Sequence, residues 1–310
     1  MKILYIDPVI NTATSANYKY YEELYRQLKH SEKVVLYGGI PRDFYELYMT
    51  LDMKPDFALF GLGWFEHKYF ESISNIDIPT ACLLFKPQND LEQKLNFCKI
   101  NNIDVILTPV PNCKEYAELT NIRTELFPYG FDPQVFKRRN IEKIYDVGFS
   151  GALHESRHYP AGSFVEENIR IKIGKILSEK EDISVFWSSS DSKPSRIPDY
   201  EQYAKTINSS KIWIATQAAF GDITPRFYEV AGSGTLLFCQ EIPECYRNIF
   251  VSGKNCVEFK SDLSDFEEKL DYYLSNERET QKIIENAIID FQKYTWNRRV
   301  DHLLEIVNDL

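Results

Sequence analysis

Short apolar runs rich in β-branched and aromatic residues alternate along this chain with longer stretches of helical periodicity. Such runs are typical of buried strands, and two parallel strands can pair only when a crossover, usually a helix, joins them. The alternation therefore predicts βαβ units and parallel sheets. The predicted strands are 2–6, 33–37, 57–61, 80–85, 104–108, 123–127, 145–150, 183–188, 212–216, 235–239 and 256–259.

The segment 127–133 separates these strands into two groups. It holds two prolines and one glycine, which indicates an irregular connection. A chain of 310 residues has room for two domains of roughly 100–200 residues each. We therefore predict an α/β fold with two doubly wound domains, 1–130 and 131–295, and a C-terminal helix at 296–310. The predicted helices are 16–29, 44–51, 66–74, 90–100, 112–119, 165–178, 200–208, 226–231, 263–274, 277–293 and 296–308.

Charge and cysteine usage restrict the class of protein. The 36 Lys and Arg against 46 Asp and Glu give a net charge of −10, which argues against non-specific binding to nucleic acids but is compatible with a local basic pocket. No run approaches the ~18 apolar residues of a membrane span, and the first residues are too polar for a secretory signal. The six cysteines form no CxxC pair. We expect a cytoplasmic protein with free thiols and no transmembrane segment.

A metal-site motif, HESRH, occurs at residues 154–158. In zinc peptidases this HExxH pattern lies on a helix, so that two histidines one turn apart bind the metal beside a glutamate base. Here Gly151 and Pro160 bracket the motif and leave little room for a packed helix. We therefore interpret the segment as a strand-to-helix loop. A zinc hydrolase stays as an alternative hypothesis, built on His154, Glu155 and His158.

Several other signatures of catalysis are absent from the sequence. It contains no P-loop, no GxSxG elbow and no complete dinucleotide fingerprint. It also lacks an Asp-x-Asp triplet, the usual cradle for a metal bound to a nucleotide diphosphate. These absences disfavour nucleotidases, hydrolases of the elbow type and dinucleotide enzymes.

The most informative stretch is GDITPRFYEVAGSGTLLF, residues 221–238. Thr224 is a plausible N-cap and Pro225 suits the first helical position. Arg226 and Glu229 are three residues apart and share one face of the predicted helix. A helix N-terminus favours an anion, and Arg226 would add a charge-assisted fork for a diphosphate, while Glu229 could accept hydrogen bonds from ribose. The alternative is a solvated Arg–Glu pair worth about 0.3–0.5 kcal/mol, and spacing alone does not separate the two.

This stretch resembles the donor-sugar helix of GT-B glycosyltransferases, especially the CgeB-like group and the group 1 glycosyl transferases. The shared pattern is an arginine, two residues, a glutamate and a glycine turn. Three further segments agree: PYGFDPQVF at 128–136 looks like the interdomain linker, and YDVGFSG at 145–151 looks like the first strand of the nucleotide-binding domain. Residues 255–259 and 294–300 look like the closing part of that fold. The resemblance covers 127–310 and is much weaker over 1–126.

The resemblance implies two Rossmann-like domains facing a cleft, with the C-terminal helix packing back on the N-terminal domain. It implies a transfer of sugar from a nucleotide sugar, with a UDP-sugar favoured, to a hydroxyl of a glycan, a protein or another acceptor. The C-terminal domain would hold the donor, and no metal or other cofactor would be required. The expected donor-binding residues are Gly151, Arg157, Asp222, Thr224, Arg226, Tyr228 and Glu229.

One departure from the family pattern concerns the sugar. Many retaining members carry an acidic residue eight positions before the helix glutamate, where this chain has Gly221. The nearest acid is Asp222, which is one candidate substitute, and Thr224 or the backbone around Gly221 is the alternative contact for the sugar.

The candidates for a general base lie in the first domain. Asp7 ends the first predicted strand, where ligands of α/β sheets gather, and His67 follows the turn after the third strand. N-capping by Asp7 and surface exposure of His67 are the alternatives. Trp187 either lines the nucleobase pocket or packs in the core, and the core is the preferred interpretation. A non-catalytic nucleotide-sugar-binding protein and an epimerase of the same fold also remain open.

Overall fold

The structure, a computed structural model, describes residues 1–7, 19–38, 43–61, 70–85, 87, 90–153, 168–190, 197, 199–218 and 221–310, and only the backbone of 19–22. These residues form two compact units. The first combines Met1–Tyr129 with Trp296–Leu310, and the second is Gly130–Thr295. Each unit is built on one parallel sheet.

The described part of the first unit holds six parallel strands in the order β2-β1-β3-β4-β5-β6. β4 and β5 are buried along their whole length, as expected for strands of a parallel sheet that is covered on both faces. The strands are β1 (Lys2–Ile6), β2 (Lys33–Tyr37), β3 (Phe57–Gly61), β4 (Thr80–Leu83), β5 (Val105–Thr108) and β6 (Arg123–Leu126).

Helices connect these strands and cover the sheet with an aromatic core. The ring of Phe60 in β3 lies 5.7 Å from Phe44 and 5.8 Å from Phe97, centroid to centroid. Both partners are helical residues, so their packing fixes two helices on the sheet. The helices are α1 (Lys19–Ser31), α2 (Phe44–Thr50), α3 (Leu91–Ile100) and α4 (Cys113–Thr120).

The second unit holds five parallel strands in the order β8-β7-β9-β10-β11. This is the order of the first five strands in the other sheet. The strands are β7 (Tyr145–Gly151), β8 (Val185–Ser189), β9 (Ser210–Ala215), β10 (Leu236–Gln240) and β11 (Val257–Phe259). The helices are α5 (Ile169–Ser178), α6 (Tyr200–Asn208), α7 (Pro225–Gly232), α8 (Phe266–Ser275) and α9 (Glu277–Asp290).

A glycine permits the central strand pair of the second sheet. A Cβ added at Gly148 in β7 would lie 2.3 Å from Cε3 of Trp213 in β9. Trp213 is fully buried, so its indole could not move aside without opening the core. The glycine therefore allows the largest buried side chain of β9 to lie flat on β7.

The C-terminal helix α10 (Trp296–Asn308) belongs to the first unit and packs on α1. Its inner face is buried at Trp296, Val300, Leu303 and Ile306, which recur at helical spacing. His302 stacks on Phe127, with ring centroids 5.8 Å apart. The chain thus returns to its first unit after completing the second.

The predicted α/β fold class, with two doubly wound units, is confirmed. Every predicted strand is present, with ends that differ by at most two residues. β9 begins at Ser210 rather than 212 because Ser210 pairs with Tyr145 at the start of β7. Of the helix predicted at 66–74, residues 66–69 lie outside the described residues, and the prediction is wrong over 70–74, where Ile73–Asn75 forms a 3-10 turn. Among the helices described, none is long and apolar enough to cross a membrane.

Leu303→Ala should destabilise the protein by about 2–5 kcal/mol, because the removed methyl groups leave a cavity in a fully buried position on α10. Urea unfolding followed by circular dichroism measures the change. Leu310→Ala is the matched control, since Leu310 is 42% exposed and the same truncation there should change stability by less than about 0.5 kcal/mol. Equal effects of the two substitutions would contradict the packing of α10 described above.

Candidate functional site

The candidate site is built around the N-terminus of α7. In a parallel α/β sheet, strand ends and the N-termini of the following helices meet at one edge. The segment 216–224 joins β9 to α7, so the start of α7 lies at the carboxyl edge of the second sheet. Thr224 is the N-cap and Pro225 is the first helical residue, as the sequence predicted.

A tight turn brings Asp222 to the front of this helix. The Ala218 N–H donates to the Asp222 carbonyl at 3.1 Å, and the Gly221 N–H donates to the Ala218 carbonyl at 3.0 Å. Gly221 has a φ of +75°, a left-handed conformation that costs little only for glycine. The position eight residues before Glu229 is therefore a turn position in this chain, and the acid stands one residue later.

Arg226 and Glu229 do not form a solvated pair. Arg226 Nε donates to the Tyr203 hydroxyl at 3.2 Å, and that hydroxyl is hydrogen-bonded to the Glu229 carboxylate. Tyr203 comes from α6, so the three side chains join two helices. Glu229 is only 6% exposed and Tyr203 is held between Phe136 and Trp213. The arrangement is a buried polar cluster, and its Arg226 end is half-buried.

Burial sets the protonation of this cluster. Desolvation raises the pKa of Glu229 to about 7, although the charge of Arg226 and the hydrogen bond from Tyr203 act in the opposite direction. Burial also raises the pKa of the Tyr203 hydroxyl, which therefore stays protonated and can donate to Glu229. Near neutral pH the cluster thus carries the charge of Arg226, only partly offset by Glu229.

Two polar atoms beside the helix N-terminus have no hydrogen-bond partner among the described residues. Asp222 is 5% exposed, and its Oδ1 accepts no hydrogen bond from the described residues. The buried Thr224 Oγ1 also has no partner among them, and the side chain does not cap α7. Desolvation raises the pKa of Asp222 to about 7. Buried polar atoms are rarely left unpaired, so this pair is suited to bind a polar ligand at the start of α7.

Gly151 is the last residue of β7. A Cβ there would lie 2.9 Å from Cζ of Phe149. The Phe149 ring lies 5.8 Å from the Arg226 guanidinium and stacks on Trp187 at 4.2 Å. Glycine at 151 therefore leaves the Phe149 ring in place beneath Arg226. Trp187 packs against the core of the second unit, in agreement with the preferred interpretation.

Tyr228, a predicted donor-binding residue, packs in the aromatic core of the second unit. Its side chain is fully buried, and its ring contacts Phe250, Phe291 and Tyr294 at centroid distances of 5.2, 5.8 and 5.7 Å. On α7 this residue faces opposite to the exposed end of Arg226, because helix neighbours two apart lie on different faces. Tyr228 therefore holds α7 on the core of the second unit, and its position does not support contact with a donor.

Asp7 lies where ligands commonly bind in an α/β sheet. It follows β1, and β1 lies between β2 and β3, so the strand order reverses there. Asp7 is 5% exposed, and Tyr5 donates to its Oδ2 at 3.4 Å. A Cβ at Gly61 would lie 2.6 Å from the same oxygen. The end of β3 is thus kept open for the Asp7 carboxylate, and Asp7 remains a candidate base.

Several predicted site residues lie outside the described residues. They are His67, His154, Glu155, Arg157 and His158. In the part of the chain that the structure does describe, no group of three or more His, Cys, Asp or Glu side chains could hold a metal ion. That finding does not include the HESRH segment.

Tyr203 is the functional residue that sequence reasoning missed. Its helix was predicted correctly as 200–208, and Asp199 caps it by accepting from the Gln202 N–H. Nothing in that helix indicates a partner 23 residues away on α7. Only the packing of both helices on neighbouring strands brings the hydroxyl to Arg226 and Glu229.

Asp222→Asn should reduce the pH dependence of folding stability. The raised pKa of Asp222 means that the folded state retains a proton which the unfolded state releases at its ordinary value of 3.8. The protonated Asp222 therefore contributes its full share to the free energy of unfolding below about pH 4. This contribution is lost as the pH rises through about 7. At about pH 8 the variant should exceed the wild type in free energy of unfolding, by at most about 4 kcal/mol.

Urea unfolding near pH 4 and near pH 8 measures this difference. Because Glu229 titrates in both proteins, the free energy of unfolding of the variant still depends on pH, but less steeply than that of the wild type. Asp262→Asn is the control, because the exposed Asp262 has its pKa lowered by Ser264 and should give no gain near pH 8. If the free energy of unfolding changes equally between pH 4 and pH 8 in wild type and Asp222→Asn, the burial of an ionisable Asp222 is refuted.

A family model matches most of the second unit and part of α10. Residues 170–305 match a family model described as glycosyl transferase-like. The matched segment contains Asp222 and α7 with Arg226 and Glu229. No curated protein matches the chain significantly.

Solved structures resemble the whole chain. A sucrose-phosphate synthase from Thermosynechococcus elongatus superposes with a TM-score of 0.64 and 11% identity over 100% of this chain and 99% of that one. HepE from Anabaena, in complex with UDP-glucose, superposes with a TM-score of 0.62 and 10% sequence identity, and the match covers 100% of both chains. A glycosyltransferase from Rickettsia africae superposes with a TM-score of 0.65 and 11% sequence identity, and the match covers 99% of this chain and 98% of that one. Residues 170–305 are thus similar to a glycosyl transferase-like family, and the chain as a whole shares the GT-B fold of these three structures.

Proposed function

We propose that this protein transfers a sugar from a nucleotide sugar to a hydroxyl group of a glycan, a protein or another acceptor. The observation that carries the proposal is the set of groups at the start of α7. There a half-buried arginine, the positive end of the helix dipole and two polar atoms with no partner among the described residues lie at the carboxyl edge of a sheet. This edge is where doubly wound sheets bind nucleotides.

The groups at α7 match the parts of a nucleotide-sugar donor. The Arg226 guanidinium and the N–H groups of the helix N-terminus would bind the diphosphate, with Gly151 and Arg157 as further proposed contacts. Asp222 and Thr224 would face the sugar hydroxyls. Glu229 would hold Arg226 through Tyr203 and accept from the ribose.

Transfer breaks the bond between the sugar C1 and the diphosphate oxygen and forms a bond from C1 to the acceptor oxygen. The acceptor hydroxyl loses its proton to a base, for which Asp7 and His67 are the candidates. Negative charge grows on the leaving diphosphate in the transition state, so Arg226 would bind that state more tightly than the intact donor.

UDP is the favoured nucleotide, and this choice is supported by the UDP-glucose complex of HepE, which shares the fold. The first unit would bind the acceptor. We also propose that no metal is required, because the sequence lacks an Asp-x-Asp triplet. The six free cysteines are consistent with the reducing environment of the cytoplasm.

Arg226→Ala should weaken UDP binding by tenfold or more, because the variant loses the charged fork for the diphosphate. Titration calorimetry with UDP, GDP, CMP and dTDP measures this and identifies the base. Arg298→Ala on α10 is the control, since that arginine is largely exposed and should leave affinity unchanged. Zinc should be assayed in the same preparation, and a chelator should not alter binding.

The opposite result would favour the other hypotheses. If no nucleotide binds and one equivalent of zinc is present, the zinc hydrolase on His154, Glu155 and His158 replaces the proposal. If UDP-sugar binds but neither transfer nor hydrolysis occurs with any acceptor, the protein is a binding module. Conversion of the donor into a different nucleotide sugar, without release of the nucleoside diphosphate and without an acceptor, would indicate an epimerase.

Tyr203→Phe should weaken UDP binding by about threefold to tenfold, less than Arg226→Ala. The variant keeps the ring between Phe136 and Trp213 but removes the hydroxyl that orients Arg226 and lowers the pKa of Glu229. Tyr200→Phe is the control, since its ring contacts the other side of Phe136. An unchanged affinity in Tyr203→Phe would show that Arg226 is positioned without the cluster.

A further inference from the structure

Arg170 joins two segments of the second unit through its guanidinium group. Nη1 donates to the Ala152 carbonyl at 2.7 Å, directly after β7. Nε donates to Thr216 Oγ1 at 2.7 Å and Nη2 donates to the Gln217 carbonyl at 3.1 Å, directly after β9. All three nitrogens of one side chain thus bind acceptors on two strand ends.

These strand ends lie at the point where the strand order reverses. β7 lies between β8 and β9, so its chain continues to one side while β9 lies on the other. Nucleotides bind at such switch points because the segments leaving the two strands diverge and open a crevice. Arg170 crosses this point, and it was not among the residues that the sequence analysis selected.

Asn168 also joins the start of α5 to the segment that follows β7. Its Nδ2 donates to the Leu153 carbonyl at 3.2 Å, and its Oδ1 accepts from the Arg170 N–H at 2.9 Å as the N-cap of α5. Asn168 and Arg170 together hold the start of α5 against residues 152 and 153. The sequence between these anchored ends, 154–167, contains Arg157.

The segment that follows β9 connects the Arg170 contacts to Asp222. Arg170 binds Thr216 and Gln217, and the Gln217 N–H donates to Gln240 Oε1 at 3.1 Å. The next residue, Ala218, donates its N–H to the Asp222 carbonyl. The Arg170 contacts therefore fix the first half of the segment that carries the two unpartnered atoms of the candidate site.

We infer that Arg170 is a positioning residue that holds the β7 and β9 ends together, so that the groups of the donor site stay in register for a nucleoside diphosphate. The inference rests on the proposed donor site at α7. The planar guanidinium group of an arginine donates to three acceptors in different directions. A lysine ammonium group at the same position would keep one or two of these hydrogen bonds. Removal of the guanidinium group removes all three of these hydrogen bonds between α5 and the two strand ends.

The first experiment measures amide hydrogen exchange of the nucleotide-free protein. Arg170→Gln should raise exchange at Gln217 and Ala218, whose N–H groups are hydrogen-bonded after β9. It should also raise exchange at Ser190, which donates to the Gly151 carbonyl. Unchanged exchange on either side would overturn the inference, because the two strand ends would then not depend on Arg170.

The second experiment measures UDP affinity by calorimetry, well below the unfolding temperature of each variant. Arg170→Gln should weaken binding by tenfold or more and Arg170→Lys by a smaller factor. Arg139→Ala is the matched control, since Arg139 makes three comparable hydrogen bonds, to Glu201 and the Val135 carbonyl. It should lower thermal stability but leave UDP affinity unchanged.

The outcomes separate this inference from the proposed function. If wild type binds UDP and Arg170→Gln binds it equally well, the positioning role is refuted while the donor site stands. A loss of affinity that Arg139→Ala reproduces would also refute it, since general destabilisation would then explain the effect. If wild type binds no nucleoside diphosphate, the proposed function fails and the donor role of Arg170 fails with it.

Discussion

The parallel pairing of β7 with β9 is the constraint on which the candidate site depends. Because parallel strands end at the same edge, this pairing places Gly151, the segment after Ala215 and the start of α7 side by side. It is possible only because Gly148 leaves room for the Trp213 ring. A site assembled on strand ends thus depends on a packing contact in the middle of the sheet.

The chemistry of the site follows from burial rather than from the number of charges. Glu229 and Asp222 are both removed from water, so each has a pKa of about 7 and is only partly ionised near neutral pH. A site with a charged Arg226 and two half-neutral carboxyls keeps a positive character that suits a diphosphate. The same carboxylic acids, while protonated, can donate hydrogen bonds to sugar oxygens.

The first unit repeats the same strand order and offers Asp7 at its own point of strand reversal. The return of α10 to this unit means that both ends of the described chain lie in one folding unit, with the second unit inserted between them. Helix α10 therefore contributes its buried face to the core of the first unit. The stacking of His302 on Phe127 belongs to this closure.

The sequence by itself determined the α/β class, the strands to within two residues and the helix that carries Arg226 and Glu229. These features depend on local periodicity and on Pro and Gly punctuation, which neighbouring residues decide. Only the tertiary structure decided which side chains meet. Tyr203 joins Arg226, Arg170 crosses two strand ends and Tyr228 turns into the aromatic core, because contacts between distant segments depend on how sheets and helices pack.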